Sequence, residues 1–308
     1  MTDTTSGADG VDRRDFLKVG LGGLAAAGLG AQATACQSAP AMGAVSTNSK
    51  TGKRVALVND ALIQIGPPIA LGLARAGHDL VIAQPAEGLV DEMQRAGAKV
   101  VVVPGIEQEG PNDESQPGST QKLVDAALEE FGGFDSAFIR TAIHSGGDVL
   151  GTSREEMQGL YESNFLAVMD SLQSLMPPLM EAGAGQILVL TSATGGQPYS
   201  NMMGYSSMRA AANMMIRCAA MTAAPKNVCI NAIGTNFINY PDAVKTLGGK
   251  DAMAAVATHV PLGRFGEPEE IAHTAVTLLD GKNMYATGMF IPIAGGYNNA
   301  MEATSDLK

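Results

Sequence analysis

Short apolar runs alternate with longer stretches of helical period along this chain. The runs fall at residues 54–59, 80–83, 99–103, 136–139, 186–191, 228–232 and 289–293. Seven strands, most of them separated by crossover helices, predict an α/β fold: a single Rossmann-like doubly wound domain with a seven-stranded parallel sheet. In such sheets ligands bind at the carboxyl ends of the strands. The residues just after the apolar runs are therefore the candidates for chemistry.

The pattern changes at the N-terminal end. Asp12-Arg13-Arg14-Asp15-Phe16-Leu17-Lys18 precedes a Gly/Ala-rich, weakly apolar run from Val19 to Gly30, and this reads as a twin-arginine export signal over residues 1–36. The run is too short and glycine-laden for the ~20 apolar residues of a membrane span. Cleavage after Ala35 and lipid attachment at Cys36 both remain open. The expectation is a chain exported through the twin-arginine translocase, periplasmic or otherwise extracytoplasmic, with a tether over residues 37–52 and a folded domain over 53–308. Such substrates cross the membrane folded, so a tightly held cofactor is compatible with export, whereas a freely exchanging one is not regenerated outside.

Charge narrows the partners. The full chain carries 20 basic and 31 acidic residues; without the signal's three basic and four acidic residues the balance is 17 against 27. An acidic protein of this kind is not a nucleic-acid binder by charge. Cys218 and Cys229 fall in a predicted helix and strand. Two buried thiols are the simpler reading, and spacing leaves a disulfide undecided. His78, His144, His259 and His273 show no metal-ligand spacing, so no metal site is expected. His144 is placed at a substrate entrance or simply at the surface.

Ser192 ends the run Ile187-Leu188-Val189-Leu190-Thr191; Tyr205 follows thirteen residues later, opening a helical stretch in which Arg209 is its i+4 neighbour. Residues spaced this way lie on one helix face, and the three types together suit proton chemistry on one substrate oxygen. The frame resembles the short-chain dehydrogenase/reductase superfamily, whose pattern is Ser, then Tyr-x-x-x-Lys, with Arg209 in the lysine place. The resemblance covers nearly all of residues 53–297 and includes Asn164, the stretch Pro261-Leu262-Gly263-Arg264-Phe265-Gly266-Glu267-Pro268, and the closing Ala294-Gly295-Gly296. Within the superfamily, Ser with Tyr-x-x-x-Arg resembles the halohydrin dehalogenases, which share the fold and use no nucleotide. The superfamily also implies a homodimer or homotetramer.

The nucleotide motif departs from the family pattern. Where the family has Thr-Gly-x-x-x-Gly-x-Gly, this chain reads Asn59-Asp60-Ala61-Leu62-Ile63-Gln64-Ile65-Gly66, and Pro67-Pro68 remove two backbone donors from the helix start. Gln84 stands where an acidic residue would hold a ribose diol. Arg140-Thr141-Ala142-Ile143 replaces Asn-Asn-Ala-Gly, and Thr235-Asn236 replaces Pro-Gly. The expectation is an emptied nucleotide cleft with no cofactor, in which Asp60 and Arg140 pair with each other or Arg140 holds an anion.

The resemblance then implies a cofactor-independent, dehalogenase-like lyase. Ser192 would hydrogen-bond the substrate hydroxyl, Tyr205 with Arg209 would take its proton, and Asn164 would support the helix backbone. The vacated cleft at Asn59, Asp60, Gln64, Gly66, Arg140, Thr235, Asn236 and Phe237 would receive the leaving anion. Alternatives are an exported oxidoreductase with tightly bound NAD or NADP, a cofactor-free isomerase or lyase on the same tyrosine, and a degenerate binding protein. Residues 245–257 are expected to contribute a lid, and their methionine and alanines suggest an apolar substrate.

Overall fold

A computed structural model describes residues 46–106, 118–141, 144–199, 201–240 and 243–299. The export signal, with Cys36, lies outside the described residues. Every residue of the first strand, β1 (Val55–Val58), is buried, and its side chains alternate between two separate apolar clusters. Val55 and Leu57 enter one, Ala56 and Val58 the other. The two-residue period of a strand sends successive side chains to opposite faces, so this sheet carries a core on each side.

The other strands are β2 (Asp79–Ile82), β3 (Val100–Val102), β4 (Ser136–Arg140), β5 (Gly185–Ser192), β6 (Val228–Thr235) and β7 (Phe290–Ile293). All pair in parallel, in the order β3-β2-β1-β4-β5-β6-β7. The α/β fold with seven parallel strands is thus as expected. The direction of strand addition reverses between β1 and β4, and the crevice at that switch point is where open α/β sheets take ligands.

The helices in chain order are α1 (Gly66–Arg75), α2 (Leu89–Arg95), α3 (Ser119–Phe131), α4 (Arg154–Tyr161), α5 (Ala167–Ala182), α6 (Met203–Ala223), α7 (Ala243–Thr246), α8 (Lys250–Ala257) and α9 (Pro268–Leu279). Leu73 of α1, Met93 of α2 and Ile271 of α9 fill the cluster behind Ala56 and Val58. Leu123 of α3, Leu172 of α5 and Ile216 of α6 fill the opposite one. Helix α4 starts on a capping box: Ser153 Oγ accepts the Glu156 N–H at 3.1 Å and the Glu156 carboxylate accepts the Ser153 N–H at 2.6 Å.

Several boundaries differ from the sequence pattern. Strands β5 and β6 run on to Ser192 and Thr235, and Arg140 closes β4, because parallel pairing continues past the last strongly apolar residue. Asn164 does not sit in an uninterrupted helix. A π-helical turn over Glu162–Leu166 separates α4 from α5, with Asn164 fully buried in it. Cys218 is exposed on α6 and Cys229 buried on β6, both with free thiols, so only one of the two fits the expected buried pair. At the start of the described chain, the Asn48 N–H and the Thr47 hydroxyl donate to the Asp135 carboxylate at 2.6 and 2.9 Å, tying residues 47–48 to the beginning of β4.

Candidate active site

Parallel pairing of β5 with β6 sets Ser192 opposite Thr235 at the carboxyl end of the sheet. Beside them opens a cavity of about 320 Å³, at the small end of the ~300–1,000 Å³ range of small-molecule sites. Ser192, Tyr205, Arg209, Gln64, Arg140 and Thr235 line it, as do Asn236 and Phe237. Eight residues singled out in the sequence therefore converge on one space. Asn59, Asp60, Gly66 and Asn164 do not line it. They stand behind its walls, buried.

The serine is oriented locally. Ser192 Oγ accepts the Thr194 N–H at 3.2 Å and lies 3.0 Å from the Thr194 hydroxyl, in the 3₁₀ turn Ala193–Gly196 that follows β5. Gly195 lets α6 come close: a Cβ there would lie 2.8 Å from Asn213 Nδ2 and 2.9 Å from the Arg209 carbonyl carbon. Tyr205, in the first turn of α6, is buried, and the Arg209 guanidinium carbon stands 5.3 Å from its ring centre. Arg209 is 1% exposed, yet its Nε has no hydrogen-bond partner among the described residues; Asn236 Nδ2 is likewise buried without one.

His144, which the sequence leaves between a substrate entrance and the surface, is part of the cavity. Its imidazole meets the Tyr205 ring edge-on, 5.2 Å between centroids at 61°. Partial burial, and after it the charge of Arg209, lower its pKa below the usual histidine value. The far wall is apolar. Phe237, held at φ 46°, packs on Phe265 and Tyr297 at 5.5 and 5.3 Å. Ala243 of α7 and Leu247 also line the cavity, whereas α8 supplies no lining residue. Of the expected lid, only its leading edge reaches the site. The contribution of Phe265 and Leu247 has no local sequence signal, since their apolar side chains read equally well as core.

The turn between β1 and α1 keeps the path of a glycine-rich loop while changing its chemistry. Gln64, in a glycine place, takes φ 52°, the left-handed region glycine favours. Gly66 is indispensable to the approach of helix and loop, because a Cβ there would lie 2.0 Å from the Asp60 carbonyl oxygen. Asp60 and Arg140 do pair, Oδ2 to Nη1 at 2.7 Å, with side chains 1% and 4% exposed. Asn59 joins the two strand ends: its Nδ2 donates to the Arg140 carbonyl and its Oδ1 accepts the Arg140 N–H, both at 2.8 Å. No group of His, Cys, Asp and Glu suited to a metal ion occurs among the described residues.

A family described as Enoyl-(Acyl carrier protein) reductase matches residues 63–298. The 7alpha-hydroxysteroid dehydrogenase of Escherichia coli (strain K12) is 26% identical over 255 residues, covering 82% of this chain and 96% of its own. Among solved structures, L-Sorbose reductase from Gluconobacter frateurii, complexed with NADPH and L-sorbose, is 24% identical at a TM-score of 0.71 over 81% of this chain and 98% of its own. A dehalogenation enzyme, 23% identical, superposes at a TM-score of 0.68 over 80% and 98%, which shows the shared fold alone.

These findings overturn two expectations. The cofactor-independent lyase and the absence of a cofactor both give way, because the matching family is one of reductases and the curated relative is a dehydrogenase. The physical reason lies in the turn. Substituted glycines look like a lost loop, whereas Gln64 retains the glycine-like backbone and Gly66 the close helix contact. Sheet, switch point and family match agree: the chain belongs to the short-chain dehydrogenase/reductase superfamily.

Proposed function

We propose that this chain is an oxidoreductase that interconverts a hydroxyl and a carbonyl on a small, largely apolar molecule with a nicotinamide dinucleotide. The supporting observation is the convergence of Ser192 and Tyr205 on one cavity, in a chain whose matching family is one of reductases. Two buried donors without partners among the described residues, Arg209 Nε and Asn236 Nδ2, belong to residues lining that cavity. They fit the oxygen acceptors of a sugar and a carboxamide. The chemistry that a bound dinucleotide supplies there is hydride transfer at the substrate carbon.

The chain's own residues handle the oxygen and its proton. Ser192 donates its hydroxyl hydrogen to the substrate oxygen, with its Oγ held in place by the Thr194 N–H. Tyr205 gives its phenolic proton to that oxygen during reduction and recovers it during oxidation. Arg209 stands beside the ring as a fixed cation, stabilising negative charge on either oxygen. Asn164 acts as a positioning residue from the π turn, where its Nδ2 donates to Ser163 Oγ at 2.9 Å. The Phe237–Phe265 wall excludes water from the apolar body of the substrate.

The test follows reduced-dinucleotide absorbance while purified protein is offered a panel of ketones and secondary alcohols with NADH, NADPH and their oxidised forms. Turnover that disappears in Tyr205→Phe supports the reading; no turnover across the panel refutes it. The proposal extends to place. Arg13-Arg14 supports export by the twin-arginine translocase. Replacing both with lysine then retains the precursor inside the cell, and an exported double variant refutes this part.

A further inference from the structure

We propose that Asp60 is an internal stand-in for a phosphate: its carboxylate occupies the anion place at the sheet's switch point and so sets how strongly this chain holds the pyrophosphate of a dinucleotide. The inference rests on the oxidoreductase reading. It is carried by the donor set that Asp60 takes. Oδ1 accepts the N–H groups of Leu62 and Ile63 at 3.0 and 3.3 Å, and Oδ2 accepts Nη1 of Arg140 at 2.7 Å. Backbone N–H groups of a tight turn together with a guanidinium are what an oxygen-rich anion binds.

The location agrees with that role. Asp60 follows β1 and Arg140 ends β4, the two strands between which the sheet order reverses. The Gly66 N–H is spent on the Ile63 carbonyl at 3.1 Å, and Pro67 and Pro68 open α1 without N–H groups. Nor does the pair relax easily. The Asn59 amide clamps both strand ends, and the Asp60 carbonyl lies against Gly66. A phosphate entering this crevice meets a buried like charge and must displace the carboxylate from all three donors. Among the described residues no carboxylate lines the cavity at the Tyr205 end, so a ligand's sugar and ring are held there independently of Asp60.

The test measures binding to the full chain, with inorganic pyrophosphate, reduced nicotinamide riboside (which has no phosphate) and NADPH as probes. In the wild-type protein, millimolar pyrophosphate leaves the thermal midpoint unchanged. In Asp60→Asn it raises the midpoint, and NADPH binds at least tenfold more tightly while riboside affinity stays constant. Glu181→Gln, which removes an exposed carboxylate near the end of α5, on the approach to the start of β5, changes neither affinity and so controls for bulk charge. Wild-type protein stabilised by pyrophosphate overturns the proposal, as does Asp60→Asn that binds NADPH measurably but no more tightly than the wild-type protein does. Asp60→Ser serves if the asparagine variant does not fold, and the wild-type pyrophosphate result decides even without either. If pyrophosphate responds as expected but neither riboside nor NADPH binds any protein, the role of Asp60 stands and the oxidoreductase reading falls; the opposite pattern spares the reading alone.

Discussion

The Arg209 guanidinium carbon lies 5.3 Å from the centre of the Tyr205 ring, while its nitrogens donate to the backbone carbonyls of Thr141 and, at 3.5 Å, Leu190. The cation one turn along α6 is thereby anchored to the ends of β4 and β5. A planar fork with several donors suits this task better than a compact ammonium. Arg209→Lys is expected to leave a buried carbonyl short of a donor and to cost about 1–3 kcal/mol in chemical denaturation. Arg209→Met also loses the charge, so its activity falls further than that of the lysine variant.

Tyr205→Phe and Ser192→Ala separate proton transfer from substrate alignment. Removing the phenolic hydroxyl lowers kcat by roughly 10²–10⁴, the usual contribution of a positioned acid-base group. Removing the serine hydroxyl lowers kcat by about 10²–10³, as loss of one donor to a developing oxyanion does. Cavity ligands still bind both variants, because neither change removes a wall. Steady-state kinetics with ligand titrations check this, and wild-type activity in either variant refutes its assigned role.

His78 makes stability depend on pH. Burial, with the Arg54 charge next, pushes its pKa from 6.5 down to about 4, and Arg54 Nε donates to its Nε2 at 3.1 Å. Between those two values the unfolded chain binds a proton that the folded protein refuses, so acidification favours unfolding. The stabilisation is fully present above pH 6.5 and is lost as pH falls towards 4, by as much as about 3 kcal/mol for a shift of this size. Urea unfolding across that window should show the decline, and His78→Asn should remove this component of it.

Gly66→Ala tests the fit of helix to loop. Its methyl would sit 2.0 Å from the Asp60 carbonyl oxygen, backbone that cannot rotate away. The expected loss is about 1–3 kcal/mol or more, in the range of overpacked sites. Gly183→Ala is the comparison, a helix-end glycine at φ 77° whose Cβ would meet nothing within 4 Å. It carries only the left-handed backbone cost, of roughly 1 kcal/mol. Equal melting temperatures for the two variants refute the steric argument.

Local sequence determined the strands, the alternation with helices and the placing of Ser192, Tyr205 and Arg209, because each depends on apolar runs and periodicities a few residues long. Ser192, Tyr205 and Arg209 line one cavity. Whether Asp60 reaches Arg140 across 80 residues of chain, and whether His144 turns to Tyr205 or to solvent, were matters for the tertiary structure. So was the turn at Gln64, where a residue that looked like a broken motif keeps the backbone of the glycine it replaces. Burial, charge pairing and loop path depend on distances between residues remote in sequence. Residue types bound these choices, and only the packed sheet, with its reversal between β1 and β4, makes them.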